Sequence, residues 1–127
     1  MDIISSTPGL KEAIRPRYIS LVDFPKIVCL CGSTRFMEAF RLANLHETLL
    51  GNVVLTVGCD TKSDDQLQLS PESKARLDEL HKQKIALADE IFILNVNGYI
   101  GESTQSEIEF AKRAGKTIRY LEEPKIR

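Results

Sequence analysis

The sequence predicts an α/β fold: a three-layer, flavodoxin- or Rossmann-like parallel sheet with helices on both faces, preceded by an N-terminal arm. Short apolar runs that suit buried strands alternate along the chain with longer segments of helical spacing. Alternation of this kind requires crossover connections, and these produce a parallel sheet covered by helices. For this number of elements we expect the strand order 2-1-3-4.

The first 25 residues differ from the rest of the chain. They contain Pro8, Gly9, Pro16 and Pro25 and show no sustained apolar periodicity. Proline and glycine at this density interrupt regular elements, so we interpret residues 1–25 as an arm and residues 26–127 as the α/β domain.

Strands are predicted at residues 26–31, 53–57, 91–96 and 116–121, because each is a short apolar run bounded by turn residues. Helices are predicted over residues 36–50, over 71–88, and from Ser103–Thr104 to residue 114. Ser70, Pro71 and Glu72 form a typical helix start. The connection from Gly58 to Ser70 is longer than the topology needs, which makes it a candidate lid.

Composition and charge exclude several classes of function. The net charge is −1, so no basic field predicts a nucleic-acid partner. No apolar run approaches the length of a membrane span, and no signal pattern opens the chain, so we expect a cytoplasmic protein. Cys29, Cys31 and Cys59 include only one short pair, which predicts free buried thiols rather than a metal site. We expect no metal and no cofactor.

Two turns converge in the predicted topology. In a parallel sheet of order 2-1-3-4, the loops after the first and third strands meet at the edge where ligands bind. The first loop is Gly32-Ser33-Thr34-Arg35, whose backbone, hydroxyls and guanidinium suit a phosphate. The alternative is that Ser33 or Thr34 simply caps the next helix. In the second loop we expect substrate contacts from Asn95, Gly98, Gly101, Ser103 and Thr104.

Three further side chains each allow two interpretations. Glu107 completes the pattern Thr104-x-x-Glu107 of a capping box, or it is a carboxylate nucleophile or base. His81 lies on the apolar stripe of its helix. It is either a core residue or an acid/base group beside Glu107. Tyr99 stacks on a ligand ring or forms a dimer contact.

Three motifs resemble the nucleoside 2-deoxyribosyltransferase-like superfamily over residues 26–121. Cys31-Gly32-Ser33-Thr34-Arg35 is similar to the first loop of the 2'-deoxynucleoside 5'-phosphate N-hydrolases. The segments 81–89 and 107–111 resemble the family's helix before the third strand and its nucleophile segment. The resemblance implies cleavage of an N-glycosidic bond with Glu107 as nucleophile, and Gly32, Ser33 and Arg35 around the sugar or its phosphate.

The sequence departs from the family pattern in three places. His81 stands where the family often has an aspartate, Gly101 where transferases have an acid, and Glu109 where a glycine is usual. Three hypotheses follow. The first is a nucleoside or nucleotide N-hydrolase or deoxyribosyltransferase. The second is a binding module for a nucleotide or sugar phosphate that has lost catalysis. The third is an oligomerisation domain. In each case we expect a homodimer or higher homo-oligomer.

Overall fold

The computed structural model describes residues 24–58 and 64–124, and within them it has the predicted α/β architecture. The strands are β1 (Ile27–Cys31), β2 (Val53–Leu55), β3 (Glu90–Ile93) and β4 (Thr117–Tyr120). The helices are α1 (Met37–Leu49), α2 (Asp64–Leu67), α3 (Pro71–Leu87) and α4 (Glu102–Arg113), with a 3₁₀ turn at Val96–Gly98. The predicted arm lies outside the described residues apart from Phe24 and Pro25.

The four strands form one parallel sheet in the order β2-β1-β3-β4, which confirms the predicted order. In the register, Cys29 lies beside Leu55 on one side and Ile91 on the other. All five residues of β1 are buried, because this central strand is covered on both faces. The order therefore reverses between β1 and β3, and their carboxyl ends mark the expected ligand edge.

The two faces of the sheet carry separate cores, which makes the fold three-layered. On one face α1 packs Phe40 and Ala43 against Val28, Leu30 and Phe92. On the other face Ile85 of α3 and Ile108 of α4 pack against alternate residues of the same strands: Cys29, Cys31, Ile91 and Ile93. Alternation along β1 thus sends both cysteines toward α3 and α4.

The observed ends of several elements differ from the predicted ones. The prediction for α3 is confirmed at its start, where the Ser70 hydroxyl accepts a hydrogen bond from the Ser73 N–H at 3.1 Å. The predicted loop from Gly58 to Ser70 contains the short helix α2, and residues 59–63 lie outside the described part. The third strand ends at Ile93, and the 3₁₀ turn at Val96–Gly98 that follows contains Asn97 with a positive φ of 55°. In the described ranges, no helix combines the length and apolar character that a bilayer span requires.

Candidate active site

A cavity of about 510 Å³ opens at the carboxyl edge of the sheet, between the loops that follow β1 and β3. The convergence of these two loops, predicted from the strand order, is therefore present in the structure. Most of the predicted site residues line the cavity: Gly32, Ser33, Thr34, Arg35, His81, Gly101, Ser103, Thr104 and Glu107. Whether they act on a substrate stays a prediction.

Gly32 allows the first loop to leave β1 close to β3. Its φ is +153°, a backbone conformation that L side chains rarely adopt. A Cβ at this position would lie 3.2 Å from the Leu94 carbonyl oxygen and 3.3 Å from the Leu94 Cβ. Glycine is thus required by both conformation and space, and the β1 loop is held against the end of β3.

Arg35 and Tyr99 join the two loops across the mouth of the cavity. The guanidinium carbon of Arg35 lies 4.6 Å from the centroid of the Tyr99 ring, a cation–π contact. The Phe36 and Tyr99 rings also form a T-shaped pair, with their centroids 6.0 Å apart. Arg35 and Tyr99 are both exposed, so the pair presents a positive charge and an aromatic face to an incoming ligand.

The capping interpretations of the two loops are wrong. Helix α1 begins at Met37 with Phe36 as its cap residue, and no side chain caps it. The Ser33 hydroxyl instead accepts from the Arg35 N–H within the loop at 3.3 Å. Helix α4 begins at Glu102 with Gly101 as its cap residue, again without a side-chain cap. Glu107 is therefore the sixth residue of α4, too far into the helix to close a capping box.

Glu107 is a buried carboxylate at the wall of the cavity, and it is 8% exposed. Burial raises its pKa to about 7, His81 opposes this rise, and the negative charges of Cys29 and Asp78 add to it. The Cys31 thiol also interacts with this carboxylate. A carboxylate without a capping role, buried beside a cavity and with a strongly perturbed pKa, has the features of a functional residue.

His81 joins Glu107 to the cysteines of β1. Its Nε2 lies 3.6 Å from Cys29 Sγ and 3.5 Å from Cys31 Sγ. Burial alone would lower the pKa of His81, but the hydrogen bond to Cys29, the charge of that thiolate and the Glu107 carboxylate raise it. His81 thus lines the cavity while its Nε2 is directed at the thiols, a partnership that the sequence interpretation missed.

The two strand cysteines titrate as a unit. The hydrogen bond from Cys31 lowers the pKa of Cys29 to about 6, with help from His81 and against the effect of burial. The same hydrogen bond, together with burial, raises the pKa of Cys31. The pKa of Cys29 is thus held below that of Cys31, and neither cysteine forms a disulfide, as predicted for this pair. Cys59 lies outside the described residues.

Asp78 is a second carboxylate in the cavity lining that sequence interpretation did not identify. It lies one helical turn before His81 on α3, it is half-buried, and its negative charge helps to raise the pKa of Glu107. The signal was present in the spacing Asp78-x-x-His81, which puts both side chains on one face of a helix.

Asn95 and Gly98 do not line the cavity, which corrects their predicted role in substrate binding. The side chain of Asn95 is buried and both its polar atoms are occupied by the backbone of Glu122: Nδ2 donates to the carbonyl and Oδ1 accepts from the N–H, each at 2.9 Å. Gly98 has a positive φ of +80° in the 3₁₀ turn, a backbone conformation that this turn of the loop requires. Both residues fold the loop rather than contact a ligand.

No protein-family model matches the chain, and no curated protein matches it either.

Proposed function

We propose that this protein cleaves the N-glycosidic bond of a nucleoside or nucleotide, as an N-hydrolase or deoxyribosyltransferase, with Glu107 as the nucleophile. The observation that carries the proposal is the placement of Glu107. It is a buried carboxylate with no capping role, and it lies at the wall of the cavity between the loops that follow β1 and β3. The resemblance of residues 26–121 to the nucleoside 2-deoxyribosyltransferase-like superfamily supplies the substrate class.

The chemistry needs an ionised carboxylate beside the sugar. One Glu107 oxygen bonds to the anomeric carbon while the carbon–nitrogen bond breaks, and the base departs with the electron pair and a proton. Water, or a second base, then bonds to the anomeric carbon and releases Glu107. Both steps pass through an oxocarbenium-like transition state, which a carboxylate stabilises by charge and by bond formation.

We assign Asp78 to protonate the leaving base. Because Asp78 must then hold a proton while Glu107 is ionised, the bound substrate has to keep this carboxyl group protonated. Asp78 lines the same cavity as Glu107 and lies close enough for its charge to affect the pKa of Glu107. Most enzymes that hydrolyse glycosidic bonds use a pair of carboxyl groups facing one cavity. This assignment accounts for the departure at position 81, since the acid of the family pattern is present one turn earlier.

Arg35 is the group best placed to select a phosphorylated substrate. It is the exposed cation of the β1 loop, and it lines the cavity together with Gly32 and Ser33. The stacking of Arg35 on Tyr99 holds the guanidinium at the mouth of the cavity. A nucleoside monophosphate therefore fits the site better than a free nucleoside.

The proposal is tested by incubating the protein with a panel of nucleosides and nucleoside monophosphates, in ribo and deoxy forms, above the pKa of Glu107. Free base is measured by chromatography, and a second base is added to detect exchange. Glu107→Gln is expected to lower turnover by roughly 10⁴-fold or more while circular dichroism remains unchanged. Glu109→Gln is the matched control, because Glu109 is exposed and pairs with Gln105 on the outside of α4. Full turnover in Glu107→Gln would disprove the mechanism.

A binding module without catalysis is the second candidate, and one observation favours it. The Nε2 of His81 interacts with the thiols of β1, so this nitrogen is not available to protonate a leaving group. A sensor of this kind would bind a nucleotide in calorimetry and release no base from any member of the panel.

Two further expectations accompany the proposal. Helix α1 exposes Leu42, Leu45 and Leu49 at a spacing of three and four, an apolar stripe that supports homo-oligomer formation, which analytical ultracentrifugation measures. The free thiols of Cys29 and Cys31 fit a reducing compartment, which supports a cytoplasmic location.

A further inference from the structure

Three metal-binding side chains meet on the α3 and α4 side of the sheet, just beneath the cavity. Cys29 and Cys31 lie on β1, His81 lies on α3, and all three are buried. Their ligand atoms Sγ, Sγ and Nε2 lie within 4.8 Å of one another. The cluster combines residues fifty positions apart, because the parallel topology packs α3 across the central strand.

The distances in this cluster match those of a tetrahedral thiolate–imidazole metal site. With zinc–sulfur bonds of about 2.3 Å and zinc–nitrogen bonds of about 2.0 Å, a tetrahedral angle separates sulfur from nitrogen by about 3.5 Å. The observed separations from His81 Nε2 are 3.6 Å to Cys29 Sγ and 3.5 Å to Cys31 Sγ. Both sulfur–nitrogen separations therefore match this geometry, and the two sulfur atoms lie within 4.8 Å of each other.

A disulfide is a poor alternative for this cysteine pair. Cys29 and Cys31 are two residues apart on an extended strand, so their Cα atoms are separated by about 6.6 Å. This is at the far end of the disulfide range of about 4.4–6.8 Å, and side chains at this spacing point the same way instead of toward each other. Parallel side chains on one face suit a shared ion better than a covalent bond.

The donor set selects the metal. Two thiolates and a neutral imidazole in tetrahedral array favour zinc among the common divalent ions, whereas magnesium and calcium prefer oxygen ligands. Both cysteines must be deprotonated and the imidazole neutral to bind the ion, so binding releases protons to the solvent. His81, one of the three ligands, itself lines the cavity, so we expect the fourth coordination position on that side.

We propose that Cys29, Cys31 and His81 bind one zinc ion per chain, with the fourth position open toward the cavity. The sequence alone suggested no metal, because it shows a single Cys-x-Cys pair and the third ligand comes from a distant helix. The site goes beyond the proposed N-glycosidase function, whose glutamate chemistry uses no metal. Metal binding and base release are measured separately, so either proposal can fail alone.

The test uses the full chain, reduced and freed of metal by a chelator, and titrated with Co²⁺ as a spectroscopic substitute for zinc. We expect saturation at one equivalent, with thiolate-to-cobalt charge-transfer bands in the near ultraviolet and the intense visible bands of tetrahedral cobalt. Zinc should bleach these bands by displacement. A pale octahedral spectrum without charge transfer would overturn the proposal and leave a hydrogen-bonded thiol–imidazole cluster.

Substitutions then identify the ligands. Cys29→Ala, Cys31→Ala and His81→Gln are each expected to weaken zinc binding at least about 100-fold in competition with a chromophoric chelator. His46→Gln is the matched control for His81, because His46 is exposed near the end of α1, and Cys59→Ser tests that the third cysteine is dispensable. Unchanged affinity in all three ligand variants, or its loss in Cys59→Ser, would overturn the assignment. Because a core variant can fail to fold, the wild-type cobalt spectrum decides independently.

Discussion

The guanidinium of Arg119 holds the carboxylate of Glu47 at two points: Nη2 donates to Oε1 at 2.8 Å, and Nη1 donates to Oε2 at 3.1 Å. The Glu47 side chain is fully buried, and Asn52 Nδ2 also donates to it at 3.0 Å. Arg119 extends over the Phe92 ring at 4.0 Å and also reaches Glu90. The pair therefore links the end of α1 to the edge strand β4 across β3.

Arg119→Ala is expected to destabilise the fold, because it leaves the buried charge of Glu47 without its main partner. The loss should be about 2 kcal/mol, below the 3–5 kcal/mol of a fully buried pair, since Arg119 is 35% exposed. Urea unfolding measures it. Arg41→Ala is the control, because Arg41 pairs with Glu38 in full contact with solvent and should leave the unfolding curve unchanged. Equal curves for both variants would contradict the expected role of Arg119.

Glu47 should also make the fold sensitive to acid. Burial opposes ionisation, but the hydrogen bonds from Arg119 and Asn52 lower its pKa below the ordinary value of 4.5. Because the folded pKa is the lower one, the stability that Glu47 contributes is complete above 4.5 and is lost as pH falls through the folded pKa. The difference in unfolding free energy between wild type and Glu47→Gln should therefore shrink on acidification. A difference independent of pH would contradict this.

Gly32→Ala is expected to destabilise the chain by about 1–3 kcal/mol, because a side chain there combines an unfavourable φ with contacts to Leu94. Thermal unfolding provides the measurement. Gly58→Ala is the matched control in the same cavity lining, since a Cβ at Gly58 meets nothing within 4 Å. If the two variants have the same unfolding temperature, the close approach of the β1 loop to β3 does not contribute to stability.

Arg35→Ala should weaken the use of phosphorylated substrates by roughly tenfold in kcat/KM, since it removes a charge-assisted hydrogen bond to phosphate. The control is the same variant with the matching nucleoside, which lacks the phosphate and should react as with wild type. Steady-state kinetics on both substrates gives the ratio. A loss of equal size on both would place Arg35 outside phosphate recognition.

Asp78→Asn tests the proton donor of the proposed reaction. It should lower turnover of an ordinary purine substrate by about 10²–10⁴-fold, because the base must leave without a proton. A substrate with a 7-methylated purine carries a positive base that leaves unprotonated, so its turnover should be nearly unaffected. Equal losses on the two substrates would assign Asp78 a structural role instead.

The sequence predicts the fold because the signals for each strand and helix are local in the chain. The apolar run of β1, the capping Ser70 of α3 and the alternation of elements sufficed to predict the sheet and its order. The exact helix starts were less accessible. The side chains of Ser33, Ser103 and Thr104 are of types that often cap helices, yet Phe36 and Gly101 occupy the cap positions. The three hydroxyl residues line the cavity instead.

The candidate site was only partly predictable, because its partners lie on different elements. Helical spacing put His81 and Ile85 on one buried face, but it could not show that this face meets Cys29 and Cys31. Asn95 was misassigned for a similar reason. Its polar side chain at the end of a strand suggested a ligand, whereas its partner is the backbone of Glu122, 27 residues further along the chain.

That bond between Asn95 and Glu122 has a consequence for the order of assembly. The turn at Asn95–Asn97 is fixed from outside itself, by the two Asn95 hydrogen bonds and by a third from the Asn97 N–H to Glu122 Oε2 at 2.7 Å. The turn leads directly to Tyr99 and Gly101 in the cavity wall. During synthesis on the ribosome, these bonds can form only after β4 and Glu122 have emerged, so a nascent chain halted before Glu122 would contain Glu107 without the fixed turn that leads into the cavity wall.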